Sequence, residues 1–199
     1  TGSYFSHEHE WRRIDFDWLE ASSELALQLD NAVNNTSLVL AIELVESGKV
    51  LLFAGDAQVG NWQSWGDLSW EVQDGRSGEK KSIAVKDLLA RTVVYKVGHH
   101  GSHNATLREQ GLELMTDPDL VAIIPVDERY AKDKKGWSMP YLPLYRRLEE
   151  KCRGRVLRAD RTWPTEQDEI PDSIRARDWT DFLNSTEVHQ DYIDLFISG

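Results

Sequence analysis

Leu51-Leu52-Phe53-Ala54-Gly55-Asp56-Ala57 and Val94-Tyr95-Lys96-Val97-Gly98-His99-His100-Gly101-Ser102-His103 are the two stretches on which the reading of this chain turns. Each is an apolar run of strand length that ends in a glycine and then in a side chain able to ligate a metal. Glycine lets the backbone turn tightly at a strand end. The residue behind it then stands on a loop held by a rigid scaffold, where functional groups concentrate. A carboxylate delivered by one strand and imidazoles delivered by another suit a single shared site.

Working outward, residues 37–44 and 49–53 flank Glu46-Ser47-Gly48, which predicts an antiparallel hairpin with a short glycine-containing turn. Residues 92–97 and 120–126 read as buried strands, and residues 155–159 and 192–197 as further strands. Helices are expected over residues 16–28, 83–90, 106–115 and 141–152. The last has Leu142, Tyr145, Leu148 and Cys152 on one stripe and Gly154 behind it. A short helix from Gly60 places Trp62 and Trp65 on one side. Residues 74–81 are polar and contain glycine, and residues 164–181 are acidic and marked by proline, so both are expected as loops. Alternation of strands and helices indicates α/β layers.

A chain of 199 residues, 40% hydrophobic and 29% charged, can bury one sizeable core. Its 34 acidic and 23 basic residues leave a net charge of -11, which opposes a broad electrostatic hold on nucleic acid or an anionic membrane. Cys152 is the only cysteine, so an internal disulfide is excluded and a reducing cytoplasm is the expected setting. The first ten residues lack the basic start and apolar centre of a signal peptide, and no apolar run approaches membrane-spanning length. A start without methionine, in mid-pattern, leads us to expect a processed or truncated product.

Gly55-Asp56-Ala57 follows Asn34-Asn35-Thr36-Ser37 and a strand, and Gly98-His99-His100-Gly101-Ser102 follows a second strand. In that order the two resemble the fourth and fifth metal motifs of the metallo-β-lactamase-fold hydrolases. The doubled histidine before Gly-Ser is similar to the branch that holds the lactamase-like domain of bacterial DNA-uptake channels and the phosphorylcholine esterases. The resemblance runs over about residues 34–197 and is tightest over residues 35–106. It implies an α/β (α+β layered) fold: the second half of an αββα sandwich, a mixed sheet flanked by helices. Residues 1–199 would form one domain, with a lead-in and helix over 1–33, a motif-bearing core over 34–160, and an acidic loop and terminal strand over 161–199. It further implies that Asp56 and His99 are metal ligands, Asp56 bridging two ions of zinc or manganese in the complete protein. The reaction implied is hydrolysis of a phosphoester or related ester bond by metal-activated water.

The family's main ligand cluster, His-x-His-x-Asp-His, occurs nowhere in the chain, and no histidine stands where Asn34-Asn35-Thr36-Ser37 lies. His7-Glu8-His9-Glu10 is the nearest substitute, since histidines two apart share one face of an extended segment. It lacks the Asp-His ending and an apolar strand ahead of it, and reads as a polar lead-in. Asp56 and His99 alone leave a zinc site about two ligands short of tetrahedral closure. The chain is therefore expected to bind metal weakly or not at all by itself, and to be inactive until joined to an N-terminal half on the same precursor or on a partner chain.

Beside these ligands, His100 is a catalytic candidate that could orient a ligand or leaving group. Ser102, His103 and Asn104 are substrate-binding candidates, because backbone N–H groups and a following helix N-terminus there could face an anion. Trp62 could form an aromatic wall over the site, although core packing is the commoner fate of such a residue. Asp56 has an ordinary alternative as a turn or helix-capping residue before the short helix. Ser102 lacks a Gly-x-Ser-x-Gly elbow and Cys152 sits on a helical stripe, so a serine or cysteine hydrolase is unsupported. The competing reading is a metal-free binding or interaction module that keeps the lactamase-like scaffold. A half-sandwich would also leave one sheet face short of cover, with Val39, Val50, Leu52, Val94 and Val97 as the residues to watch.

Overall fold

In the computed structural model, which describes residues 37–73, 78–161 and 170–198, the expected first hairpin is present. Strand β1 (Leu40–Glu43) pairs antiparallel with β2 (Val50–Phe53), Leu40 opposite Phe53 and Glu43 opposite Val50. The chain continues through α1 (Val59–Trp65), a second hairpin of β3 (Ser69–Gln73) and β4 (Lys80–Ala84), and α2 (Val85–Ala90). Strands β5 (Thr92–Lys96) and β6 (Val121–Ile124) follow, then α3 (Leu142–Lys151), β7 (Val156–Arg158), α4 (Ala176–Asn184) and a terminal hairpin of β8 (Thr186–Val188) and β9 (Ile193–Leu195). Residues 16–28, where a helix is expected, and His7 and His9 lie outside the described residues. Ser37–Gly199 clusters as one unit.

Five strands form one mixed sheet in the order β1-β2-β5-β6-β7. Only β1 runs antiparallel to its neighbour; β2, β5, β6 and β7 are parallel. The sequence accounts for this arrangement. Parallel strands covered on both faces read as continuous apolar runs, and Thr92, Val93, Val94 and Tyr95 of β5 are all buried. At β6 the side chains divide by alternation. Ala122 and Ile124 join Leu52, Trp62, Tyr95, Leu112, Leu148 and Cys152 in the larger core cluster, whereas Val121 joins Leu157, Ile174, Trp179 and Phe182 in the second. Helices α1 to α3 therefore supply one apolar layer, and α4 with the β8–β9 hairpin supplies part of the other.

Several expectations are corrected. Residues 69–73, for which no element was expected, pair as a hairpin with residues 80–84, where the expected loop and helix met, and Trp70 stands opposite Ile83. The helix expected from residue 83 starts at Val85, where the Asp87 carboxylate accepts the Ala84 N–H at 2.9 Å. Residues 106–115 do not form a helix. Only Leu112–Leu114 makes a 3-10 turn, because Gly111 sits at φ -137°, ψ -92°, outside the helical region. Within residues 164–181, the portion from Ala176 belongs to α4, with Trp179 and Phe182 three apart and buried.

Among the described residues, Val50, Leu52, Val94 and Val97 are buried and Val39 is half-buried, so these positions are covered, whereas all four residues of β1 are exposed. The exposed large apolar residues include Leu40 and Ile42 on β1 and Trp70 and Val72 on β3. Among the described residues no helix is long and apolar enough to cross a membrane.

Candidate metal centre

Because β2 and β5 are parallel neighbours, with Leu52 opposite Tyr95 and Phe53 opposite Lys96, the two glycine-led motifs leave the sheet at the same end. The His99 N–H donates to the Gly55 carbonyl at 3.1 Å, joining the motifs backbone to backbone. Both glycines are required by this geometry. Gly55 has φ +57°, and a Cβ there would stand 2.9 Å from the Leu38 carbonyl oxygen. A Cβ on Gly98 would stand 3.0 Å from the Gly55 carbonyl oxygen. Asp56 is exposed and His99 is half-buried.

His99, His100 and Gly101 occupy left-handed backbone in succession, with φ of 44°, 54° and 72°. For an L side chain this costs ~1–2 kcal/mol per residue, and such strain collects at functional sites. The turn is held by Gly101 N–H to the Gly98 carbonyl at 2.9 Å, Ser102 N–H to the His99 carbonyl at 3.0 Å, and Tyr141 N–H to the Gly101 carbonyl at 2.7 Å.

Hydrogen bonds set the role of each Nδ1. The buried Ser102 hydroxyl donates to Asn104 Oδ1 at 2.6 Å, so it is left to accept from His99 Nδ1, 3.0 Å away. Asn104 Oδ1, which can only accept, lies 3.3 Å from the same nitrogen. His99 Nδ1 is therefore a donor to this pair, and its Nε2 takes no part in it. His100 Nδ1 likewise donates, to the Pro125 carbonyl oxygen behind β6 at 2.6 Å. A neutral imidazole whose other N–H is fixed by a hydrogen bond is the form that ligates metal.

Asp56 does not cap helix α1, which is capped by Gln58, whose N–H donates to Asn61 Oδ1 at 3.0 Å. It lies two residues before that cap, in a turn closed by the Ala57 N–H donating to the Ala54 carbonyl at 3.1 Å. Three substrate-binding expectations need correction. Trp62 is 1% exposed and packs against Trp65 and Tyr95, so it has no face to offer a substrate. It props up the histidine loop instead, its Nε1–H donating to the Ala105 carbonyl at 3.1 Å. Ser102 and Asn104 are committed to His99. The N–H groups of Gly101 and Ser102 are used within the turn, and the helix N-terminus expected behind Asn104 does not form. His103 and His100 are exposed, and the His103 ring meets Tyr141 edge to face at 6.3 Å.

Tyr95 ties the loop to β5: its hydroxyl lies 2.7 Å from Thr106 Oγ1, and burial raises its pKa well above the ordinary value. Burial likewise pushes the Cys152 thiol up to about 12, which fits an inert core cysteine.

Among the described residues, Asp56 and His99 belong to no group of three side chains that could close on a metal. The one such group, Glu187, His189 and Asp194, stands on the β8–β9 hairpin. Sequence reading missed it because it is assembled by strand pairing. The only linear signal is the two-residue spacing of Glu187 and His189. No protein-family model, curated protein or solved structure matches this chain.

Proposed function

We propose that the chain carries one half of the active site of a metal-dependent hydrolase, of metallo-β-lactamase type, acting on a phosphoester or related ester bond. The observation that carries the reading is the convergence of two glycine-led motifs at adjacent parallel strand ends, with His99 in strained backbone and its Nδ1 already committed as a donor. A carboxylate oxygen and a basic imidazole nitrogen are a donor pair suited to zinc or manganese. Two ligands fit such an ion only in part, so the remaining ligands come from an N-terminal half, on the same precursor or a partner chain. A bound ion pair would lower the pKa of a water to near neutrality.

The chain's own residues do the rest. Asp56 supplies the oxygen ligand, and the Asn104–Ser102 pair holds the His99 ring in one orientation. His100, anchored by Pro125, keeps a basic Nε2 for a proton at the reacting group. The exposed His103 offers a further imidazole to an anionic substrate. The net charge of -11 favours a small substrate over nucleic acid.

The alternative, a metal-free interaction module, is favoured by an open apolar groove of about 440 Å³ lined by residues that include Leu40, Leu68, Trp70, Val72 and Leu88. Co-expression of the chain with a fragment bearing a His-x-His-x-Asp-His cluster, assayed on an aryl phosphodiester with zinc or manganese, separates the two. The hydrolase reading expects no turnover by the chain alone and metal-dependent turnover by the pair. That turnover should be abolished by Asp56→Ala or His99→Ala and reduced less by His100→Ala. A pair that forms but stays inactive supports the module.

A further inference from the structure

Glu187 and His189 are two residues apart on β8 and its exit, and Glu187 is registered directly across from Asp194 on β9, so all three share one face of the hairpin. The His189 N–H donates to the Tyr192 carbonyl at 2.9 Å, and its ring stacks on Tyr192 at 4.2 Å and 21°, which fixes the imidazole. His189 Nε2 lies 3.4 Å from Asp194 Oδ2 and 3.7 Å from Glu187 Oε2, and one ligand atom from each of the three falls within 4.8 Å of the others. These separations are longer than hydrogen bonds, which close at ~2.7–3.2 Å. The His189–Asp194 separation matches the ~3.3–3.4 Å edge of a tetrahedron whose ligands stand ~2.0–2.1 Å from zinc, and the His189–Glu187 separation is somewhat longer than that edge. Like charges directly opposite on paired strands repel, and Glu187 facing Asp194 is such a pair unless a cation lies between them.

We propose that Glu187, His189 and Asp194 form a zinc site that clips the terminal hairpin, with a fourth position open to water. It shares no residue with the Asp56–His99 centre and does not depend on the hydrolase reading. The test is zinc titration of the chelator-treated full chain by calorimetry, repeated with cobalt by absorption spectroscopy. The proteins compared are the wild type, His189→Ala, Asp194→Asn, and the double variant Asp56→Ala/His99→Ala, each checked for an unchanged circular dichroism spectrum. The expected result is one zinc equivalent whose affinity falls about 10-fold or more in His189→Ala and in Asp194→Asn, and is unchanged in the double variant. Equal zinc affinity in wild type and His189→Ala, or no zinc uptake by the wild type, overturns the site, as does binding lost only in the double variant. Should His189→Ala alter the spectrum, Asp194→Asn decides by the same criterion.

Discussion

The strand ends at Gly55 and Gly98 join two glycine-led motifs backbone to backbone, whereas the β8–β9 hairpin gathers an imidazole and two carboxylates by strand pairing. At the strand ends the core does the holding. Ser102 and Asn104 are buried, Trp62 braces Ala105, and the parallel sheet sets the spacing of the two loops, so the site sustains three left-handed residues in a row. On the hairpin the polar groups are exposed or half-exposed and lie near one another rather than on a buried frame. A buried frame makes position expensive to disturb, whereas an exposed cluster responds mainly to charge. The two regions should therefore separate by size and by kind of response.

The largest effect is expected at Trp62. Trp62→Ala empties a fully buried site and should cost ~3–5 kcal/mol in urea unfolding. Trp62→Phe, which chiefly removes the donor to Ala105, should cost ~1–2 kcal/mol. If the alanine variant lost under 1 kcal/mol, the histidine loop would not be braced by the core as described.

Next comes Gly55→Ala, which adds a Cβ at φ +57° against the Leu38 carbonyl. Left-handed strain and overpacking together should cost ~2–4 kcal/mol. A thermal melt unchanged from wild type would show that the strand-end geometry is soft.

A smaller effect, with a pH signature, is expected where α3 meets the 3-10 turn. Arg147 donates to both oxygens of Glu113 at 2.7 and 2.6 Å, and this pairing holds the Glu113 carboxyl down at about 2, below its ordinary 4.5. A depressed carboxylate stabilises the fold fully above its unfolded value and progressively less as pH falls through the folded one. Arg147→Ala should thus cost ~1–2 kcal/mol between pH 5 and 8 after allowance for solvent screening. The gap to wild type should narrow below about pH 4.5 and close near pH 2. A gap independent of pH would assign the loss to packing of the arginine stem.

The smallest effect belongs to the hairpin. In chelator-treated protein, Asp194→Asn removes a like-charge cross-strand pair and should stabilise by ~0.2–1 kcal/mol, read as a slight rise in melting temperature. A clear destabilisation would mean that Asp194 is held by something other than its facing charges.

What could be read ahead of the structure was local. The β1–β2 hairpin, β5, β6 and α3 announced themselves through apolar runs and a helical stripe, and Gly55-Asp56 and Gly98-His99 through glycine at strand ends. The failures were places where a short-range signal was weak or misleading. One glycine, Gly111, ended an otherwise plausible helix. Acidic residues masked the Trp179–Phe182 stripe of α4, and the β3–β4 pairing depends on contacts across a turn.

The sequence by itself determined which side chains could serve chemistry, because residue type and the backbone freedom of glycine are properties of single positions and their immediate neighbours. Only the tertiary structure decided that the two motifs meet, that Trp62 is a brace rather than a wall, and that Ser102 and Asn104 spend their hydrogen bonds on His99. It alone also placed Glu187 across from Asp194. Those outcomes depend on strand order, register and burial, which arise from contacts between residues far apart in the chain.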